Sequence, residues 1–125
     1  MPVTIDKLLG KPLLHSHQIG DLSITGVIDI INAVTVTGNT AADAGTVILA
    51  DASSSLTGNI TITLPDATTH PNKVYKIKKT DSTINTVTVA GAGSDKIDDG
   101  NATVILAFQN SAMQVVSKGT NWYII

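Results

Sequence analysis

Asn59-Ile60-Thr61-Ile62-Thr63-Leu64 alternates apolar and polar residues with a period of two. In an extended strand this spacing puts Ile60, Ile62 and Leu64 on one face and Thr61 and Thr63 on the other. The stretch predicts a strand with one dry face and one wet face. Residues 46–50, 73–79, 86–90, 102–108, 112–117 and 121–125 are further candidate strands, rich in Val, Ile and Thr. Such β-branched side chains are stiff at χ1 and suit a pleated surface. Between them lie turn signals: Pro71-Asn72, Asp81-Ser82, Gly91-Ala92-Gly93-Ser94, Asp99-Gly100-Asn101 and Lys118-Gly119-Thr120. Short strands punctuated in this way predict an all-β fold, a small antiparallel β-sandwich or barrel over residues 46–125.

The last strands carry a second message. Val104, Leu106 and Phe108 alternate with Ile105 and Ala107, while Trp122 and Ile124 oppose Tyr123 and Ile125. Strands that are apolar on both faces call for cover on both. A second sheet covers one face, and a subunit interface is the simplest cover for the other. Val104, Leu106, Phe108, Trp122, Tyr123 and Ile124 are therefore the expected interface residues. The 125-residue chain has no cysteine, and its aromatics are Tyr75, Phe108, Trp122 and Tyr123 alone. A chain this short buries only roughly two-thirds of its unfolded surface. With no disulfide to help, oligomerisation is the natural source of extra burial.

Two segments precede the head. Residues 1–18 form an N-terminal arm in which Leu8, Leu9, Leu13 and Leu14 flank Gly10-Lys11-Pro12, and Pro12 interrupts any helix. Four leucines on a segment too short to fold alone need a partner surface, so the arm reads as an anchor on another protein. Residues 19–45 read as a stem. Within it Val34-Thr35-Val36-Thr37 alternates as a short strand, Asp29-Ile30-Ile31-Asn32 fits one helical turn, and residues 40–45 form a small polar joint.

Composition narrows the function classes. The net charge is −2 and every basic residue is lysine. Arginine is the usual reader of phosphates and bases, so its absence argues against a nucleic-acid partner. The lack of cysteine removes disulfides, thiolate metal sites and cysteine nucleophiles. No apolar run is long enough for a transmembrane helix, so no membrane partner is expected. The opening Met1-Pro2-Val3-Thr4-Ile5-Asp6 lacks the basic-then-apolar pattern of a signal peptide, and the expectation is a protein made and kept in the cytoplasm until it is assembled.

Catalytic signals are weak. Ser53-Ser54-Ser55 and three histidines lack a Gly-x-Ser-x-Gly elbow, and the chain contains no glutamate. His70 sits before Pro71 with no evident partner. Asp95, Asp98 and Asp99 depart from the calcium-loop ladder and read as a polar turn. Lys73, Lys76, Lys78 and Lys79 read as a solvated strand face that guards an edge. The chain is therefore expected not to be an enzyme, and no cofactor is called for by these residues.

Several phrases together resemble the β domain of phage tail-fibre, tail-spike and related virion proteins. They are Ala50-Asp51-Ala52-Ser53, Asn59-Ile60-Thr61-Ile62-Thr63-Leu64-Pro65-Asp66-Ala67, Lys73-Val74-Tyr75-Lys76-Ile77-Lys78-Lys79-Thr80-Asp81 and Val115-Val116-Ser117-Lys118-Gly119-Thr120-Asn121-Trp122-Tyr123-Ile124. The resemblance covers about the last 75 residues and implies a homotrimeric virion component. His15-Ser16-His17 also looks like the His-x-His phrase of phage fibres and spikes, some of which hold iron there. In an extended strand both imidazoles project to one side, and three chains about an axis could fill an octahedral transition-metal site. A hydrogen-bonded pair or a metal-free stack of histidines fits the same residues. The chain's brevity favours a capsid decoration protein, head fibre or short appendage, anchored on capsid or baseplate by its arm. The alternative is a receptor-binding tail-fibre module that stacks host glycan on Trp122 and Tyr123.

Overall fold

The computed structural model describes residues 31–54 and 58–125, together with Ile5–Asp6 (β1) and Leu8–Leu9 (β2), which pair with each other. The main body contains β3 (Ala33–Val36), β4 (Thr40–Ala41), β5 (Val47–Ala50), β6 (Ile60–Thr63), β7 (Val74–Lys79), β8 (Val87–Ala90), β9 (Thr103–Leu106), β10 (Ala112–Lys118) and β11 (Asn121–Ile124). The described residues contain no α-helix, only a 3-10 turn at Ala42–Ala44. The protein is all-β, as its alternation requires.

The strands form two sheets, one five-stranded in the order β11-β10-β7-β5-β3 and one four-stranded in the order β4-β6-β8-β9. Both are mixed, so the expected antiparallel arrangement holds only for the last part of the chain. β3, β5 and β7 run parallel in the first sheet, and β4, β6 and β8 run parallel in the second. The chain visits the sheets alternately, each winding laying one strand in each. Ala33 pairs with Val47 and Val47 with Lys76, while Thr40 pairs with Ile62 and Ile62 with Val89. Parallel neighbours need a long crossover, and here a strand of the opposite sheet supplies it in place of a helix. After the third winding, β9 returns antiparallel beside β8, and β10 and β11 close the other sheet as antiparallel strands.

The core lies between the inner faces. Ile60, Ile62, Val87 and Val89 face Ile48, Tyr75, Ile77, Val115 and Trp122, all at most 1% exposed. Residues assigned to the stem belong to this core as well. Val36 is buried and Ala42 fully so, because β3 and β4 make the first winding. The joint expected at residues 40–45 is packed rather than loose. Gly45 is needed there, since a Cβ would lie 2.6 Å from the Asn32 carbonyl oxygen.

Side chains pin one winding to the next. The Asn39 carboxamide oxygen accepts the Thr61 N–H at 2.8 Å, and that of Asn59 accepts the Thr86 N–H at 2.8 Å. Each asparagine begins a strand of the four-stranded sheet and caps the start of the next, satisfying a donor that would otherwise lack a partner. Aspartates shape the corners. Asp51, Asp66 and Asp81 each accept the N–H two residues on, from Ser53, Thr68 and Thr83. These are Asx turns, which bend the chain with a short side chain instead of a backbone bond.

Candidate functional site: the outer faces and the pinned corner

β7 carries lysine on both sides. Lys76 and Lys78 point outward and are exposed, but Lys79 shares the inward side with Tyr75 and Ile77 and is fully buried. The reading of all four lysines as a solvated face therefore fails at Lys79. Its ammonium donates to Asp81 Oδ1 at 2.7 Å, to the Asp81 carbonyl at 2.9 Å and to the Thr83 carbonyl at 3.3 Å. Asp81 Oδ2 accepts the Ala52 N–H at 2.8 Å, and Oδ1 accepts from the Thr83 N–H and hydroxyl. The pair thus ties the corner after β5 to the corner after β7. Burial pushes the Asp81 carboxyl up, but the Lys79 and Thr83 bonds and the Ala52 N–H outweigh it and hold it well below the ordinary carboxylate value. Three donations satisfy the Lys79 ammonium inside the corner, so its chemistry is structural.

Two outer faces remain. The outward residues of β5, β7 and β10 form a shallow open groove of about 320 Å³, in which Lys76 and Lys78 on the central strand are flanked by Val47 and Leu49 on one side and by Ala112 and Gln114 on the other. Lys118 adds a third exposed lysine on the same outward side of β10. The outward side of the four-stranded sheet differs. It presents Thr61 and Thr63 from β6, Thr88 and Ala90 from β8, and Thr103 and Ile105 from β9. Thr61 lies beside Thr88 and Thr88 beside Ile105, and Thr63 lies beside Ala90 and Ala90 beside Thr103. This face has no charged residue, and Ile105 is 59% exposed upon it.

The residues singled out in the sequence are distributed unevenly. Leu106 and Trp122 are enclosed by this chain's own core, and Val104 packs against it. Their apolar surface is consumed within the head, because the second sheet faces them. Phe108 is 78% exposed in the turn between β9 and β10. Ile124 is partly exposed, and Tyr123 is half-buried on the outer side of β11, where its hydroxyl donates to Asp99 at 2.9 Å. That hydrogen bond to a carboxylate, more than burial or charge, raises the phenol above its ordinary value. With the Trp122 ring enclosed, the pair offers no indole face for stacking a sugar. Leu8 and Leu9 lie in β1–β2 pairing, with only their backbone described. Leu13, Leu14, His15 and His17 lie outside the described residues.

The remaining polar candidates are structural pieces. Asp98 and Asp99 adopt left-handed φ values of 52° and 62°. Their carboxylates accept from the Ile124 N–H and from the Asn121 carboxamide and Tyr123 hydroxyl, fastening the turn to β11. His70 has partners after all, with Nδ1 within 2.9 Å of the Thr69 hydroxyl and 3.1 Å of the Asp66 carbonyl. Among the described residues, no group of three or more histidine, cysteine or acidic side chains converges as a metal site. No protein-family model and no curated relative matches the chain.

The uncharged threonine face went unnoticed in the sequence. Its signal was present in the wet side of Asn59–Leu64 and in Thr86-Val87-Thr88-Val89, but only the sheet order sets these rows side by side. Thr37-Gly38-Asn39 and Thr57-Gly58-Asn59 likewise repeat in the sequence and mark the stacked windings. Gly58 at φ +84° makes the second of these corners.

Proposed function

We propose that this chain is a non-enzymatic structural component of a bacteriophage virion, a homotrimeric capsid decoration protein, head fibre or short appendage. It is assembled in the host cytoplasm and held on capsid or baseplate through residues 1–18, with Leu8, Leu9, Leu13 and Leu14 as the anchor. The observation that carries this reading is the wound head. Windings pinned by Asn39, Asn59 and Asp81 stack into a block with a shallow groove on one outer face and level, uncharged strand rows on the other. Open faces of this kind are suited to contact with other chains, since a substrate pocket buries most of its ligand. The tail-fibre glycan reading has less support, because the indole meant to stack the sugar is enclosed.

Deletion of residues 1–18 is expected to leave a trimer in solution that no longer joins particles. Native mass together with occupancy on purified virions measures both halves of the expectation. Normal occupancy of the shortened protein would remove the anchoring role. His15 and His17 carry two alternatives, a metal-free histidine layer or a metal on the trimer axis. Elemental analysis of untagged protein, never exposed to chelator, decides between them: one transition metal per trimer, lost in His15→Ala, selects the metal site, and a metal-free trimer selects the stacked or hydrogen-bonded histidines.

A further inference from the structure

We infer that the uncharged outer face of the four-stranded sheet is where copies of this chain meet about the threefold axis. The inference rests on the homotrimer proposed above and assigns its surface. Close to a threefold axis a side chain meets its own copies, so any charge there opposes like charge at short range. The outer side of the five-stranded sheet carries Lys76, Lys78 and Lys118, and self-association through it would gather these lysines together. The threonine face carries none. Its outward positions are Thr61, Thr63, Thr88, Ala90, Thr103 and Ile105, and its Ile105 is left 59% exposed by the isolated chain. Its margin fits as well. β9 is an edge strand, Thr103-Val104-Ile105-Leu106, without the lysine, proline or inward charge that normally blunts an open edge. Small β-branched side chains in level rows pack closely against a like surface and have little rotamer freedom to lose.

Size determines how the face would act. From strand spacing and rise it covers roughly 250 Å², below the ~800 Å² per partner of a stable interface. The face therefore acts on the register of the heads rather than as the whole of the contact that holds a trimer. A single charge placed in it need not dissociate the full-length trimer, so proximity is the better readout than mass alone. The chain has no cysteine, which makes that readout clean.

Full-length Thr88→Cys and Ile105→Cys, treated with a short bismaleimide, are expected to give covalent dimers between subunits at high yield. Gln114→Cys, on the outer side of β10, is expected to stay uncrosslinked at the same protein concentration. Native mass of each variant before treatment gives the oligomeric state. Trimers in which Thr88→Cys and Ile105→Cys fail to crosslink would overturn the assignment of the face and leave the trimer standing. Crosslinking through Gln114→Cys alone would move the interface to the five-stranded sheet. A monomeric wild-type protein would remove the homotrimer reading and this inference with it.

Discussion

Asp81→Asn is expected to cost about 3 kcal/mol of head stability, the lower end of the ~3–5 kcal/mol found when one partner of a buried ion pair is removed. The lower end applies because the corner lies near the surface, with Asp81 at 9% exposure. Lys79 would keep its two carbonyl partners but lose its carboxylate partner, leaving a fully buried ammonium uncompensated. The asparagine retains one acceptor for the Ala52 or Thr83 N–H, so part of the corner survives. Adding Lys79→Met should recover most of the loss, since an apolar stem replaces a charge that no longer needs pairing. Urea midpoints at fixed protein concentration measure the cycle. No recovery in the double variant would show that the corner's hydrogen bonds, not the buried charge, dominate.

The same pair sets an acid limit. The folded Asp81 carboxyl lies below its unfolded value, so its contribution is complete above about pH 5 and is lost as pH falls through the unfolded and then the folded value. Between neutral pH and about pH 5 this group adds no slope to the stability. Below that, the wild-type protein should lose stability with falling pH. In Asp81→Asn this part of the slope should be absent, and urea midpoints against pH would show the difference.

Trp122→Ala is the second large effect, about 3–5 kcal/mol from the cavity and lost burial. The indole is fully buried, its ring 5.5 Å from that of Tyr75 at a tilt of 52°, and its Nε1–H donates to the Pro65 carbonyl at 3.1 Å. Its main chain also accepts from Asp98 and donates to Lys96, which ties the 96–98 segment along the edge of β11. The side chain therefore joins the last strand to the corner after β6 and to Tyr75, while its main chain holds the segment covering the sheet edge. Against a total stability of about 5–15 kcal/mol, the loss leaves the head marginal. Trp122→Phe should cost less, roughly 1–2 kcal/mol for the stranded Pro65 carbonyl beside a smaller packing loss. Circular dichroism is the readout, because Trp122 is the chain's single tryptophan. A shift below about 1 kcal/mol for Trp122→Ala would contradict the central place given to it.

Strand existence was legible because alternation with period two is a local property. Seven candidate strands between residues 46 and 125 correspond to β5 through β11, with ends moving by only a residue or two. The parity of β7 was legible too, since Lys79 shares a side with Tyr75 and Ile77, although it was read as part of a lysine face. Connectivity was not legible. Gly, Asn and Asp mark a corner whether the next strand returns in the same sheet or crosses to the other. Connection length was a local clue beside the repeated Thr-Gly-Asn, because the spans after β5 and β6 exceed the two to five residues typical of a hairpin. Among the site residues, Phe108 and Ile105 were recognised as apolar, but exposure depends on which neighbour covers them.

The uncharged strand pattern that opened the reading, Asn59–Leu64, shows the division. By itself the sequence determined that Ile60, Ile62 and Leu64 are interior and Thr61 and Thr63 are not, because burial follows from which side of a strand a residue takes. Only the tertiary structure decided that the threonines lie in rows with Thr88 and Ile105, that β3 and β4 join the head, and that Lys79 is paired inside it. Those outcomes depend on contacts between residues far apart in the chain, and no local spacing encodes which distant strand will lie alongside.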